Sequence, residues 1–315
     1  HEPSRRQRQM CIRDRLSIRW IEKKINQYLN KLLNTDKDYV IASDTDSIYV
    51  TFDELIQKVN PKNPIDFLDT IAKEKIEPFI DKSYKQLADY VHAYDQKMFM
   101  KREVIADKGI WTAKKRYILN AWDVEGVRYK EPSLKIMGIE AVKSSTPAPC
   151  REKIKEALTI IMGGDEKQLN DFLITFRDEF NKLPPEEIAY PRSCNGIRKF
   201  RSESSIFQKG TPMHIKGGLV YNHLVKEKKL SHKYPIIQDG DKIKYLELRQ
   251  PNPIGCNVIS FMTKVPKELD IHKYICYDSQ YEKSFIDPLS FITNNIGWKI
   301  DRSFGTQTTL EDFFS

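Results

Sequence analysis

Residues 43–50 read Ser43-Asp44-Thr45-Asp46-Ser47-Ile48-Tyr49-Val50. Asp44 and Asp46 fall in a short polar turn between two apolar runs, a setting that suits a divalent cation held over a phosphate. Strand side chains at i and i+2 point the same way about 6.6 Å apart. A turn shortens that spacing, so the two carboxylates are able to approach one cation or bracket two. Mg²⁺ is a hard ion that keeps several waters and takes one or two protein carboxylates plus substrate phosphate oxygens. A two-metal phosphoryl-transfer site needs acids from different parts of a chain, so this turn supplies only part of one. The plain alternative is a solvated turn whose Asp side chains cap backbone amides. The Asp-x-Asp of sugar-nucleotide glycosyltransferases needs a nucleotide-binding α/β unit upstream. Only 43 residues precede Asp44, with no Gly-rich loop among them, which counts against that chemistry.

The elements that must position this turn can be read on either side of it. Tyr39-Val40-Ile41-Ala42 leads in and Ile48-Tyr49-Val50-Thr51-Phe52 leads out, both rich in β-branched and aromatic residues, so a hairpin with acids at its tip is expected. Upstream, Ile18, Ile21, Ile25, Tyr28, Leu29 and Leu32 recur at helical spacing and predict an amphipathic helix over 16–34. Downstream, 65–92 carries a second helical pattern that Pro78 should break or kink. Strand character returns over 98–105 and 109–119. Helix, hairpin, helix and further strands describe an α+β domain.

Composition narrows the function classes. Lys and Arg outnumber Asp and Glu by 52 to 44, a net charge of +8 that favours a polyanionic partner. Part of that excess lies in residues 1–15, where Arg5, Arg6, Arg8, Arg13 and Arg15 face only Glu2 and Asp14. That stretch lacks an apolar period and a cap, and is expected to be either foreign to the domain or a disordered basic arm. No apolar run approaches a membrane span, and no apolar signal segment opens the chain, so a cytoplasmic protein without a membrane partner is expected. The cysteines, Cys11, Cys150, Cys194, Cys256 and Cys276, are odd in number and lack a Cys-x-x-Cys pair, which argues for reduced packing residues rather than disulfides or a zinc ribbon.

Around residue 140 the texture changes. Ser144-Ser145-Thr146-Pro147 reads as a helix start with Thr146 as N-cap and Pro147 in the first turn. Ile154, Leu158 and Ile161 mark its buried face, and Gly163-Gly164 its end. A further helix is expected over 165–183, a third over 211–230 despite Gly217-Gly218, and strands over 242–249 and 254–262.

With these motifs in this order, the chain resembles the C-terminal part of the family B DNA polymerases, most closely those of T4-like bacteriophages. Asp44-Thr45-Asp46-Ser47 is similar to the family's motif C, and Lys114-Lys115-Arg116-Tyr117 to its Lys-Lys-x-Tyr motif. Residues 98–106, Lys135-Ile136-Met137-Gly138-Ile139-Glu140 and Lys143-Ser144-Ser145-Thr146-Pro147 resemble the passage from palm to thumb. The resemblance implies a partial palm over 16–140, a mainly helical thumb over 141–304, and a tail over 305–315. It also implies a nucleotidyltransferase that adds deoxynucleoside triphosphates to primer-template DNA with two Mg²⁺ ions. Asp46 would then be a direct metal ligand, Asp44 a supporting acid, and Glu103 a candidate third carboxylate, unless Glu103 pairs with Lys101 or Arg102 on a surface strand. Lys114, Lys115, Arg116 and Tyr117 would hold the duplex, and on a strand Lys115 and Tyr117 would share a face. Ser144, Ser145, Arg198, Lys199 and Arg201 would contact its backbone from the thumb.

Two departures bear on activity. Ala42-Ser43 stands where the family has Tyr-Gly, and nothing upstream matches motif A, with its partner aspartate, or motif B, with its nucleotide-binding Lys and Tyr. The 315 residues are therefore expected to be a fragment inactive by itself, with an exposed sheet edge beside the hairpin. A non-catalytic DNA and clamp-binding module and a metal-dependent nuclease are the rival expectations. Finally, Gln307-Thr308-Thr309-Leu310-Glu311-Asp312-Phe313-Phe314 fits a sliding-clamp-binding peptide. Leu310, Phe313 and Phe314 would share one helical face that enters an apolar pocket, and Gln307 would bond at its edge.

Overall fold

A computed structural model describes residues 5–202 and 205–302, with the side chains of 5–14 outside the description. The protein is α+β and divides into two compact units, one reaching Lys135 and the other beginning at Ile136.

The first unit opens with α1 (Arg5–Leu33), followed by β1 (Val40–Ser43), β2 (Ile48–Val50), α2 (Asp53–Val59) and α3 (Pro64–Ile71). The helix begins well before the apolar period does. Ile18, Ile21, Ile25, Leu29 and Leu33 form its buried face, whereas Leu32, expected in that face, is 55% exposed. Four-residue steps drift slightly around a 3.6-residue helix, so the face passes to Leu33. α1 packs on α4 (Glu77–Tyr90) and β1, where Ile80, Tyr84 and Leu87 join Tyr39 and Val40 in one core.

Pro78 does not break the second helical region. A π turn over Ala72–Ile76 links α3 to α4, and Pro78 lies in the first turn of α4. Proline lacks an N–H and crowds the carbonyl four residues back, and the wider π turn takes up that crowding.

The rest of the unit is the antiparallel sheet β3 (Val104–Ala113), β4 (Arg116–Val124) and β5 (Val127–Met137), in that order. Two strand expectations change here. Residues 98–103 lie outside the strands because the Arg102 guanidinium turns to Asp69 at 2.6 Å and also to buried Asp123, and its amide donates to Glu77 at 2.9 Å. The run 109–119 is not one strand but a hairpin that folds back at Lys114-Lys115, with Lys115 at φ 60.

The second unit carries α5 (Ala148–Gly163), α6 (Glu166–Phe180), α7 (Pro185–Ile188), β6 (Tyr190–Ser193), α8 (Met213–Glu227), β7 (Lys242–Glu247), β8 (Val258–Phe261), α9 (Tyr277–Tyr281) and α10 (Asp287–Thr293). Pro147 takes the N-cap of α5 and Pro149 its first turn, so the helix starts later than expected, and Thr146 is buried before it. Asp165 and Gln168 form a capping box for α6. β6 was not anticipated, since a four-residue strand containing Pro191 carries little pattern. It lies at the edge of the antiparallel sheet β6-β7-β8, where proline is tolerated.

Gly217 explains how α8 tolerates its glycine pair. A Cβ there would lie 2.6 Å from Ser260 Oγ and 2.7 Å from Ser260 N, so only glycine lets the helix approach β8 this closely. Cys150, Cys194 and Cys256 are buried free thiols, in keeping with packing roles. Among the described residues no helix is long and apolar enough to cross a membrane.

Candidate active site

The acidic turn is the tip of the β1-β2 hairpin, as expected, with Val40 opposite Val50 and Ser43 opposite Ile48. A two-stranded hairpin is marginal by itself, and α1 supplies the anchor. Asn26 Oδ1 accepts hydrogen bonds from the Tyr39 amide at 2.8 Å and the Val40 amide at 3.0 Å, and Asn26 Nδ2 donates to Asp38. One turn on, Asn30 Oδ1 accepts from the Lys37 amide and Asn30 Nδ2 donates to the Lys37 carbonyl. Neither asparagine was singled out from sequence. The available signal was a pair of polar residues four apart, flanking the apolar stripe of a helix just before a strand.

At the tip, the Asp44 amide donates to the Ser47 carbonyl at 2.9 Å and closes the turn. Asp44 Oδ1 accepts from the Thr45 amide at 2.8 Å. Asp44 Oδ2 lies 3.3 Å from Lys115 Nζ. Partial burial alone would push the Asp44 carboxyl up, but the Thr45 amide and the Lys115 ammonium outweigh it and hold the group below the ordinary carboxylate range. Asp46 is exposed. The acidic hairpin and the basic turn, separate in sequence, thus meet in space.

An aromatic cluster sits behind that contact. Tyr49 packs edge-on to Trp111 at 5.3 Å and against Tyr117 at 5.4 Å between ring centroids. Its hydroxyl is pushed far up, first by burial and then by its interaction with the Tyr117 hydroxyl, so it stays protonated. The Trp111 ring folds over Gly109, where a Cβ would come within 2.6 Å of it.

This arrangement corrects the expected face of the basic motif. Lys114 and Lys115 lie exposed in the turn, whereas Arg116 is half-buried at the start of β4 and Tyr117 is 8% exposed. Lys115 and Tyr117 do not share a strand face, because the left-handed Lys115 falls before the strand begins. Tyr117 instead buttresses the hairpin through Tyr49.

Glu103 pairs with Lys135 rather than with Lys101 or Arg102. Among the described residues no group of three or more His, Cys, Asp or Glu side chains is arranged to hold a metal. Asp44 and Asp46 are nonetheless the hard oxygen donors that Mg²⁺ takes, and two carboxylates are as many as it commonly draws from protein. The residues present fit part of such a site.

The remaining candidates lie in the second unit. Ser144 and Ser145 precede α5, and the Ser145 carbonyl accepts from Arg192 Nη1 at 3.4 Å. Arg198 and Lys199 project from the 3-10 turn Ile197–Phe200, and exposed Arg201 follows it. Gln307, Leu310, Phe313 and Phe314 lie outside the described residues.

Comparison with known proteins bears on this geometry directly. The chain is 36% identical over 307 residues to the DNA-directed DNA polymerase of Enterobacteria phage T4, covering 91% of this chain and 34% of that protein. It is 38% identical over 299 residues to the DNA-directed DNA polymerase of Escherichia phage RB69, covering 89% of this chain and 33% of that one. The chain is similar to one portion of the T4-like DNA polymerases. It spans about a third of the length of the curated relatives it matches, and so corresponds to a portion of a T4-like polymerase. No protein-family model matches it. In this polymerase portion, the Asp44–Lys115 contact joins two motifs that sequence alone gave as separate resemblances.

Proposed function

We propose that this chain supplies one wall of a family B nucleotidyl-transfer site, with a partial palm up to about residue 140, a thumb over 141–304, and a clamp-binding tail over 305–315. The observation that carries the reading is the meeting of the acidic hairpin tip with the basic hairpin turn through Asp44 and Lys115. An exposed Asp46 suits direct metal ligation, and Asp44, held ionised, suits a supporting role. When bound, Mg²⁺ would lower the pKa of a primer 3′-hydroxyl and neutralise charge on the triphosphate of a deoxynucleotide. Lys114, Lys115 and Arg116 would meet phosphates of primer-template DNA, while Tyr117 acts from beneath by seating Tyr49. Ser144, Ser145, Arg198, Lys199 and Arg201 would follow the duplex backbone. Gln307, Leu310, Phe313 and Phe314 would dock on a sliding clamp, in the cytoplasm of a host cell.

The remaining metal ligand and the nucleotide-binding groups would come from polymerase segments outside these 315 residues. Mixing the chain with the preceding part of a T4-like polymerase should restore Mg²⁺-dependent primer extension, and Asp46→Ala should abolish it. Duplex and clamp binding without any extension in the mixture would instead favour the non-catalytic module. Mg²⁺-dependent degradation of DNA by the chain alone, lost in Asp46→Ala, would favour a nuclease. Substituting Phe313 and Phe314 together by alanine should abolish clamp binding and leave duplex affinity unchanged, and retained clamp binding would remove the tail assignment.

A further inference from the structure

The Lys115 ammonium occupies the position, 3.3 Å from Asp44 Oδ2, that a cation drawn to this carboxylate would compete for. It comes from the tip of a different hairpin, and its side chain is 60% exposed while that of Asp44 is 28% exposed. We infer that Lys115 is a positioning residue that couples DNA engagement to divalent-ion binding: without DNA it neutralises Asp44, and a DNA phosphate draws it away and frees the carboxylate. This rests on the polymerase reading for the DNA half of the coupling, but the competition at Asp44 is independent of it.

Three features favour a movable ammonium over a fixed structural pair. A half-exposed ion pair on a flexible four-carbon stem is held weakly, so a polyanion is able to outcompete it. The turn bearing Lys115 is braced from behind by the contacts of Trp111 and Tyr117 with Tyr49. The side chain can therefore leave without the hairpins parting. Finally, the Asp44 carboxylate keeps its bond from the Thr45 amide when Lys115 departs, so it remains ionised and oriented. The coupling is reciprocal by thermodynamic necessity: whatever factor DNA adds to cation affinity, the cation adds to DNA affinity through the same side chain.

The test measures Mn²⁺ affinity of the 315-residue chain by electron paramagnetic resonance of free Mn²⁺, with and without a primer-template duplex. Mn²⁺ bound by the DNA itself is subtracted with a variant carrying both Asp44→Asn and Asp46→Asn. Lys115→Asn removes the charge while tolerating the left-handed backbone at this position, and Lys115→Arg retains the charge. An exposed pair of this kind predicts that Lys115→Asn tightens DNA-free Mn²⁺ binding about two- to five-fold. The wild-type chain should gain a similar factor on adding duplex, Lys115→Asn should gain none, and Lys115→Arg should behave as wild type. Unchanged DNA-free affinity in Lys115→Asn overturns the proposal. A chain that shows the DNA-free effect but binds no duplex in a separate fluorescence anisotropy titration upholds the competition at Asp44 and refutes the polymerase reading.

Discussion

Asn26 holds the acidic hairpin on its helix, and Asn26→Ala is the perturbation that tests this most directly. The side chain satisfies two backbone donors, the Tyr39 amide at 2.8 Å and the Val40 amide at 3.0 Å. Those residues are 3% and 9% exposed, so water reaches the freed amides poorly. Each buried unpaired donor costs about 1–3 kcal/mol, and with some access of solvent the pair should cost about 2–4 kcal/mol. Asn26→Asp keeps an acceptor for both amides but replaces the donation to Asp38 at 3.1 Å with two facing carboxylates. It should cost only about 1 kcal/mol at neutral pH. Urea unfolding gives the totals, and amide hydrogen exchange at Tyr39 and Val40 gives the location. If Asn26→Ala leaves both amides as protected as in wild type, the anchor lies elsewhere and the argument fails.

Other consequences follow from separate parts of the molecule. Gly217→Ala places a methyl 2.6 Å from Ser260 Oγ, so the second unit should lose about 1–3 kcal/mol, read as a lower denaturation midpoint, and an unchanged midpoint would show that α8 has room to shift. Tyr84 is 1% exposed and its buried hydroxyl has no hydrogen-bond partner among the described residues, so Tyr84→Phe should raise stability by about 1 kcal/mol, and a loss would reveal a hidden partner. Burial alone would raise the Asp123 carboxyl, but Arg102, Arg128 and the Gly126 amide hold it below its ordinary value. Its contribution is therefore present above the unfolded aspartate pKa and lost as pH falls through the folded value, which should appear as acid destabilisation below about pH 4. Arg102→Met removes one of the two guanidinium partners of Asp123 and leaves Arg128 and the Gly126 amide in place, so it should cost about 1.5–3 kcal/mol at neutral pH and make that acid dependence shallower.

The parts legible in sequence were those encoded locally. The helix stripe of α1, the acidic turn and the Gly163-Gly164 stop each announce themselves within a few residues; the turn and the stop stand where expected, and the stripe does except at Leu32, whose place Leu33 takes. The failures share a physical cause. The fold-back at Lys115 requires a positive φ in a non-glycine residue, which no propensity rule anticipates, and it turned one expected strand into a hairpin. Arg102 reads as a strand residue until Asp69 and Asp123, distant in the chain, draw it into a network. Tyr117 belongs to a basic motif by sequence and to an aromatic cluster by packing, a choice settled by Tyr49 from another element.

The split between Asp44 and Asp46 shows how such long-range choices assign chemistry to residues that sequence treats alike. Both are aspartates in one turn, two positions apart. Asp44 carries the Thr45 amide and the Lys115 ammonium, which cost it freedom but fix its oxygens and keep it charged. Asp46, exposed at the same tip, has no such restraint among the described residues, which suits the direct ligation proposed for it. The difference does not lie in the turn at all. It lies in a lysine some seventy residues downstream, placed by its own left-handed backbone and by rings packed edge-on behind it. Interchanging the two aspartates in thought leaves the turn's composition unchanged, yet the lysine would still reach only the position nearer β1. The division of labour proposed for the two carboxylates thus depends on the second hairpin, and any change that moves that hairpin should act on the proposed cation site before it acts on the fold.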